Sequence, residues 1–310
     1  MIHFIIPSVA VIIAILVLWL VLGGIFIARI SVFPPKIPLI PSPEKFKLLS
    51  EDVEFPSRDG TVLRGWWIAM AKPRGVVVLC HGMTGNRANM LPWALPLLKA
   101  GYSVLLFDFR ASGKSEGDRC TVGYREVQDL QGAIDYIQTR KDCEGLKIGA
   151  MGFSMGGSVV VRTAARDNRL AACCSYAGFA SLPDALKQRC KHHFGPFAFI
   201  VEKVVLMAGN GFRWFEVDPE EIVPELAAPH IKCPLLVIQG RRDPIVPHTH
   251  SRRIVEAAPA GMAILRQFPK SSHGPPHHKE RQDAEMELVQ FMLMHINNQN
   301  SQDVQIARSV

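Results

Sequence analysis

Hydrophobic positions along this chain fall into three regimes, and each predicts a different kind of structure. The first is unbroken: from Phe4 to Ala28 the residues are almost all Ile, Val, Leu, Ala and aromatic, with no charged side chain. About 20 helical residues cross a hydrocarbon layer of roughly 30 Å, and each central charge would cost about 2.5 to 3.5 kcal/mol on an insertion scale. The pattern therefore predicts one membrane-spanning helix over residues 1–30. Pro7 stands where a helix start tolerates proline, while Arg29, Ser31 and the Pro34-Pro35 pair end the segment. A cleaved signal peptide is the alternative. It fits less well, because the apolar stretch exceeds a usual signal core, no Arg or Lys precedes it and no small-residue cleavage site follows.

The second regime, residues 31–50, holds Pro34, Pro35, Pro38, Pro41 and Pro43, a composition that favours extended polyproline geometry and predicts a semi-rigid stalk. In the third, short apolar runs alternate with helix-period stretches. Val53 to Phe55 and Leu63 to Ala69 flank the Arg58-Asp59-Gly60 turn and read as a hairpin. Gly75 to Cys80, Ser103 to Phe107, Leu146 to Phe153, Leu170 to Tyr176 and Pro234 to Gln239 are mostly continuous rather than alternating, as strands covered on both faces should be. Tyr124 to Thr139 and Met155 to Ala165 have helical periodicity. Strands alternating with helices imply an α/β fold with a mostly parallel central sheet, helices on both faces and an antiparallel edge from the opening hairpin. The domain is expected over residues 51–298, and residues 299–310 read as a polar tail.

Composition narrows the class. At 310 residues, 48% hydrophobic and 20% charged, the chain is long enough for one large α/β domain and too short for two ordinary ones plus extras. Seven cysteines without a CxxC pair suggest neither a disulfide framework nor a zinc ribbon. The formal net charge of +7 comes from scattered Lys and Arg, with no arginine-rich run, so a basic face toward anionic lipid fits better than a nucleic-acid partner. Arg29, Lys36, Lys45 and Lys47 follow the apolar helix, and the positive-inside rule then puts the domain on the cytoplasmic side, in keeping with unpaired thiols.

Chemistry enters at Gly152-Phe153-Ser154-Met155-Gly156, a GxSxG pentapeptide between an apolar strand and a small-residue helix. A nucleophilic serine needs a sharp strand-to-helix turn that exposes its hydroxyl, and glycines two residues either side leave room for that backbone. There the Met155 amide and the helix N-terminus face any developing negative charge. Without that context the pentapeptide would be only a glycine-rich turn.

With these motifs, residues 53–297 resemble the α/β-hydrolases, close to the membrane-anchored ABHD13/Bem46-like branch and to serine esterases and aminopeptidases of similar architecture. The resemblance implies an oxyanion-hole amide after an HG pair at the end of an early strand. Cys80-His81-Gly82-Met83-Thr84-Gly85-Asn86 stands there, which makes Met83 the counterpart and His81 and Gly82 loop-structuring residues. Asp108 to Ser115 is similar to the family's DxRxxGxS turn. Its GKS ending lacks the glycine that a nucleotide phosphate loop requires where Asp108 stands.

A hydroxyl is a poor nucleophile until a base takes its proton, and the base needs a partner that fixes its tautomer. The chain order in these enzymes is serine, acid, histidine. Gly240 to Pro247 is similar to the family's GxxDPxVP acid loop and puts Asp243 in the acid position, although an aspartate there could also cap the helix that follows. His273, in the loop after an expected final strand Ala263 to Phe268, is the best base; His277 and His278 compete with it. His248 with His250, Cys190 with His192 and His193, or His273 with His277 could approach a metal, but none completes a ligand signature.

Between Tyr176 and Pro234 lie too many residues for a simple crossover, so a cap insertion is expected over about 179–231. Phe194, Phe197, Phe199, Phe212, Trp214 and Phe215 interleave there with Lys187, Arg189, Lys191, Lys203 and Arg213. Such a lid suits an acyl chain or lipid ester, though plain helix packing accounts for the same aromatics. The expectation is a membrane-anchored serine hydrolase of carboxylic esters that needs no cofactor and no metal. A peptidase or acyltransferase would use the same three side chains.

Overall fold

The computed structural model describes residues 2–274 and 278–297. The expected tail at 299–310 and His277 lie outside the described residues, as does the side chain of His278. An eight-stranded sheet runs in the order β1 (Glu51–Pro56), β2 (Val62–Ile68), β4 (Ser103–Phe107), β3 (Val76–Cys80), β5 (Ile148–Phe153), β6 (Leu170–Tyr176), β7 (Leu235–Gly240) and β8 (Ala263–Phe268). β1 pairs antiparallel with β2 across the Arg58-Asp59-Gly60 turn, and β2 pairs antiparallel with β4; from β4 to β8 every pairing is parallel.

The continuous apolar runs follow from helices on both faces. Val76, Val78 and Cys80 of β3 point into one core, with α3 (Glu126–Thr139), α4 (Met155–Ala164) and α8 (His248–Ala257) over it. Val77 and Leu79 point into the other, beneath α2 (Leu91–Lys99) and α9 (His278–His295). Each fully buried aliphatic side chain contributes about 1.5 to 3 kcal/mol, so neither face can be given up to solvent. The parallel strands all end at one rim of the sheet, and in open α/β sheets ligands bind at that rim.

Between β6 and β7 the chain leaves the sheet to form α5 (Leu182–Phe194), α6 (Ala198–Gly211) and the single turn α7 (Pro224–Ala227). Ser181 caps α5 by accepting the Asp184 amide hydrogen at 3.3 Å. α5 and α6 form a hairpin over the rim.

The N-terminal helix α1 (Ile2–Val32) is 31 residues, about 46 Å at 1.5 Å per residue, and Val9–Val32 within it is long and apolar enough to cross a membrane. It runs two residues past the expected end at residue 30. Its two halves differ. Val9, Ile12, Ile13, Ile15 and Leu18 are exposed, whereas in the C-terminal half one face is covered, with Leu20, Ile27 and Ala28 buried against Cys190 of α5 and Val201, Val205 and Ala208 of α6, while Leu22 and Phe26 on the other face stay exposed. Gly23 and Gly24 permit the approach: a Cβ on Gly23 would lie 2.6 Å from the Phe194 ring, and one on Gly24 2.6 Å from Val204.

The expected stalk is corrected. Rather than spanning open space, residues 33–50 strap along the domain. Asn86 donates its side-chain amide to the carbonyls of Ile37 and Pro38, both at 3.1 Å, Lys36 reaches the Ser115 carbonyl, and Leu39, Phe46 and Leu48 pack on the α2/α9 core. Proline fixes backbone geometry, but the apolar residues between the prolines give this segment a surface to bind.

Candidate active site

Four rim loops carry the sequence-selected residues. β5 ends in Phe153, and Ser154 turns the chain into α4 with φ 53° and ψ −118°. That left-handed conformation is costly for a non-glycine residue, of order 1 to 3 kcal/mol, and persists only where the surroundings enforce it. They do so here. A Cβ on Gly152 would lie 2.1 Å from the Gly156 carbonyl oxygen, and one on Gly156 2.4 Å from the Cys80 carbonyl oxygen, so both glycines are required by close backbone approach. The Ser154 amide donates to the Tyr176 carbonyl at 2.8 Å and holds the turn to β6.

After β7, Asp243 is buried with its carboxylate surrounded by donors. One oxygen accepts the amides of Ile245 at 2.9 Å and Val246 at 2.8 Å; the other accepts the Gln239 side-chain amide at 3.1 Å and faces His273 Nδ1 at 2.7 Å. Asp243 thus organises its own loop and does not cap α8, whose cap position is Pro247. Gly240 lets the next loop close over it, since a Cβ there would lie 2.5 Å from the Ser271 carbonyl oxygen.

After β8, the His273 ring packs against Phe153 at 5.1 Å, tilted by 41°, and its Nε2 lies 3.1 Å from Ser154 Oγ. The carboxylate at Nδ1 fixes the proton on that nitrogen and leaves the Nε2 lone pair for the hydroxyl. Ser154, His273 and Asp243, separated by 30 and 119 residues in sequence, therefore form one hydrogen-bonded series.

After β3, His81 is fully buried. Its Nδ1–H donates to the Gly82 carbonyl at 2.7 Å and its Nε2 accepts the Phe109 amide hydrogen at 3.0 Å. Burial lowers its pKa, so it stays neutral and serves as a loop brace. Gly82 lies beside Phe153 and Ser154, where an added Cβ would sit 3.2 Å from the serine Cβ. Among the described residues the Met83 N–H meets no acceptor of the protein, and Met155, the first residue of α4, has an amide without an intrahelical partner. Met83, Met155, Ser154 and His273 all border one cavity of about 300 Å³.

The nearby GKS sequence is spent structurally. The Asp108 carboxylate accepts the Arg87 and Lys114 amides, and Ser115 Oγ donates to the Asp108 carbonyl at 2.6 Å. Among the described residues no three His, Cys, Asp or Glu side chains converge as a metal site. His250 is buried and its Nδ1 accepts the Ala180 amide hydrogen at 3.2 Å.

Sequence reasoning missed three contributors. Gln239, which holds Asp243, was readable as the polar end of an otherwise apolar strand. Ser31 and Val32 of α1 wall the same cavity as Ser154, where no local pattern marks them; so does Arg189 of α5, one of the basic cap residues singled out in the sequence.

The serine aminopeptidase S33 family matches residues 71–210. Among solved structures, the Pyrococcus furiosus esterase Pf2001 is 26% identical, with a TM-score of 0.70 over 84% of this chain and 98% of its own. The Pyrococcus horikoshii acylaminoacyl peptidase shares the fold at 19% identity, with a TM-score of 0.63 over 83% of this chain and 43% of the peptidase. The uncharacterized protein YfhR of Escherichia coli K12 is 27% identical over 81% of this chain and 83% of YfhR. Sheet order, rim loops and these likenesses converge: the chain belongs to the α/β-hydrolase superfamily, as a serine hydrolase of that fold.

Proposed function

We propose that the protein is a membrane-anchored hydrolase of carboxylic esters, acyl or lipid-like, working through Ser154, His273 and Asp243. Ser154 attacks the ester carbonyl while His273 Nε2 takes the hydroxyl proton, and Asp243 steadies the imidazolium that results. The amides of Met83 and Met155 face the oxyanion; losing one such donor typically costs about a hundred- to a thousandfold in turnover. His273 returns its proton to the leaving alcohol, and water, activated by the same imidazole, releases the acyl group from Ser154.

The single observation that carries this reading is the hydrogen-bonded series from Ser154 Oγ through His273 to Asp243, opening on an apolar cavity. The 98% coverage of the Pf2001 esterase by the match supports esters as the substrate class. Anchoring rests on the apolar helix α1, and the cytoplasmic side on Arg29, Lys36, Lys45 and Lys47 after it. A fluorophosphonate probe should label Ser154; an intact Ser154→Ala protein that labels equally well overturns the assignment. A second reading, a peptidase with the same nucleophile, is favoured by the S33 match. Turnover of aminoacyl arylamides, with none of p-nitrophenyl esters, would put it first.

A further inference from the structure

Arg189 and His193 stand one turn apart on α5, and both line the cavity that holds Ser154. Most arginines of this protein are committed to carboxylates: Arg110 to Asp129 and Asp59, Arg253 to Asp184 and Glu225, Arg169 to Asp167 and Asp135. Arg189 differs. Among the described residues it has no acidic partner and no hydrogen-bond acceptor, and the Glu216 carboxylate on the cavity wall is engaged by Arg125. The cavity it lines is mostly apolar, bordered by Leu182, Ala185, Leu186, Val205 and Phe215. Arg189 is half-buried, and burial pushes its guanidinium below its ordinary range, whereas His193 stands exposed at the edge of the cavity. A cation in such a place is costly unless an anion meets it, and guanidinium is suited to grip phosphate or carboxylate oxygens in pairs.

We infer that the cavity takes an acyl ester carrying an acidic group, phosphate or carboxylate, away from the scissile bond, and that Arg189, seconded by His193, is the specificity residue that binds it. This rests on the hydrolase reading above. The ester lies against Ser154 and His273, its apolar part fills the space beneath α6, and the acidic group reaches α5. Ser31 and Val32 put the apolar helix α1 in the same wall, so the acidic group could belong to a lipid headgroup presented beside that helix or to a soluble acid ester. The chemistry that Arg189 reads is common to both.

The test uses the full-length protein in phosphatidylcholine vesicles and two esters of equal chain length, p-nitrophenyl octanoate and the mono-p-nitrophenyl ester of suberic acid. A parallel arm measures fatty-acid release from phosphatidylglycerol against phosphatidylcholine vesicles. The wild type should favour the acidic ester by about ten- to a hundredfold in kcat/KM. Arg189→Gln should abolish that preference by raising KM for the suberate ester far more than for octanoate, with fluorophosphonate labelling of Ser154 kept, and Arg189→Lys should restore part of it. A preference for phosphatidylglycerol that Arg189→Gln removes assigns a lipid headgroup; a preference confined to the suberate ester assigns a soluble acid. Octanoate turnover with no preference in either arm, or Arg189→Gln slowing both esters equally while Arg189→Lys restores nothing, overturns the inference and leaves the hydrolase standing. An intact wild type that turns over neither ester and takes no label at Ser154 overturns both.

Discussion

Gln239 donates its side-chain amide to the same Asp243 oxygen that faces His273 Nδ1. The carboxylate is thereby held in the one orientation that lets His273 meet both its acid and its serine. Gln239 is buried and also reaches the carbonyls of Gly240 and Val246, so it clamps the acid loop to the end of β7. Gln239→Leu should lower kcat by about tenfold or more with KM little changed, because misplacing a catalytic side chain by about an ångström is enough to cost that much. Steady-state kinetics on one ester decide it. A parallel rise in KM would mean that the cavity wall itself had moved.

The packing of α1 on α6 predicts that the N-terminal helix does more than tether. Gly24→Leu makes the apolar segment more hydrophobic, so insertion should be preserved, yet the new side chain would enter the space of Val204. Overpacking of this kind costs about 1 to 3 kcal/mol. Membrane fractionation should be unchanged, while thermal unfolding moves to lower temperature and ester turnover falls. A protein beginning at Pro43 should be worse still: it bares Cys190, Val201 and Val205 and removes the Val32 carbonyl that accepts the Cys120 amide. Size-exclusion chromatography should show association in the absence of detergent.

Acid should weaken the fold before it protonates most carboxylates. Burial pushes His250 down to about 4, from an ordinary value of 6.5, and the buried His81 is shifted in the same direction. The unfolded chain then binds more protons than the native one between those two values. Stability from His250 is full above pH 6.5 and is lost as pH falls toward 4, by at most about 3 to 4 kcal/mol at about 1.4 kcal/mol per unit. Urea midpoints measured across this window should fall, and His250→Gln, which keeps an acceptor for the Ala180 amide, should flatten the slope.

All seven cysteines are buried and free, and burial pushes Cys190 up to about 11 and Cys143 up to about 12. Cys120 borders the catalytic cavity, where desolvation and then the nearby Glu126 charge raise its pKa as well. Thiolate is the reactive form, so the native protein should react slowly with Ellman's reagent at pH 8 and keep its hydrolase activity, while the unfolded chain titrates as seven thiols. Rapid inhibition by the reagent would show a reactive thiol within reach of the substrate.

Much of the domain was legible because its signals are local. β3 is apolar throughout, and β4 and β7 nearly so, since both of their faces are covered, and the pentapeptide around Ser154 carries its steric requirement in two glycines. Asp243 and His273 were picked out from the family resemblance, chain order and loop context, and Gln239 was readable only as the polar end of an apolar strand. The strap at residues 33–50 was misread because proline content reports the shape of a backbone and not what it lies on. The buried face of α1 was hidden for a related reason: a helix apolar on all sides looks the same whether lipid or protein covers it. Gly23 and Gly24 were the available sign, small residues at the point where two helices come close.

The strap also decides what the enzyme can reach. A free spacer would let the domain wander over many ångströms above a bilayer. With Pro34 and Pro43 buried, Asn86 gripping the Ile37 and Pro38 carbonyls, and α1 seated against α6, the serine is instead fixed at a set height and heading relative to α1. On the anchored-esterase reading proposed above, an enzyme mounted in this way acts as a gauge: an ester is cut only if its carbonyl arrives at that level.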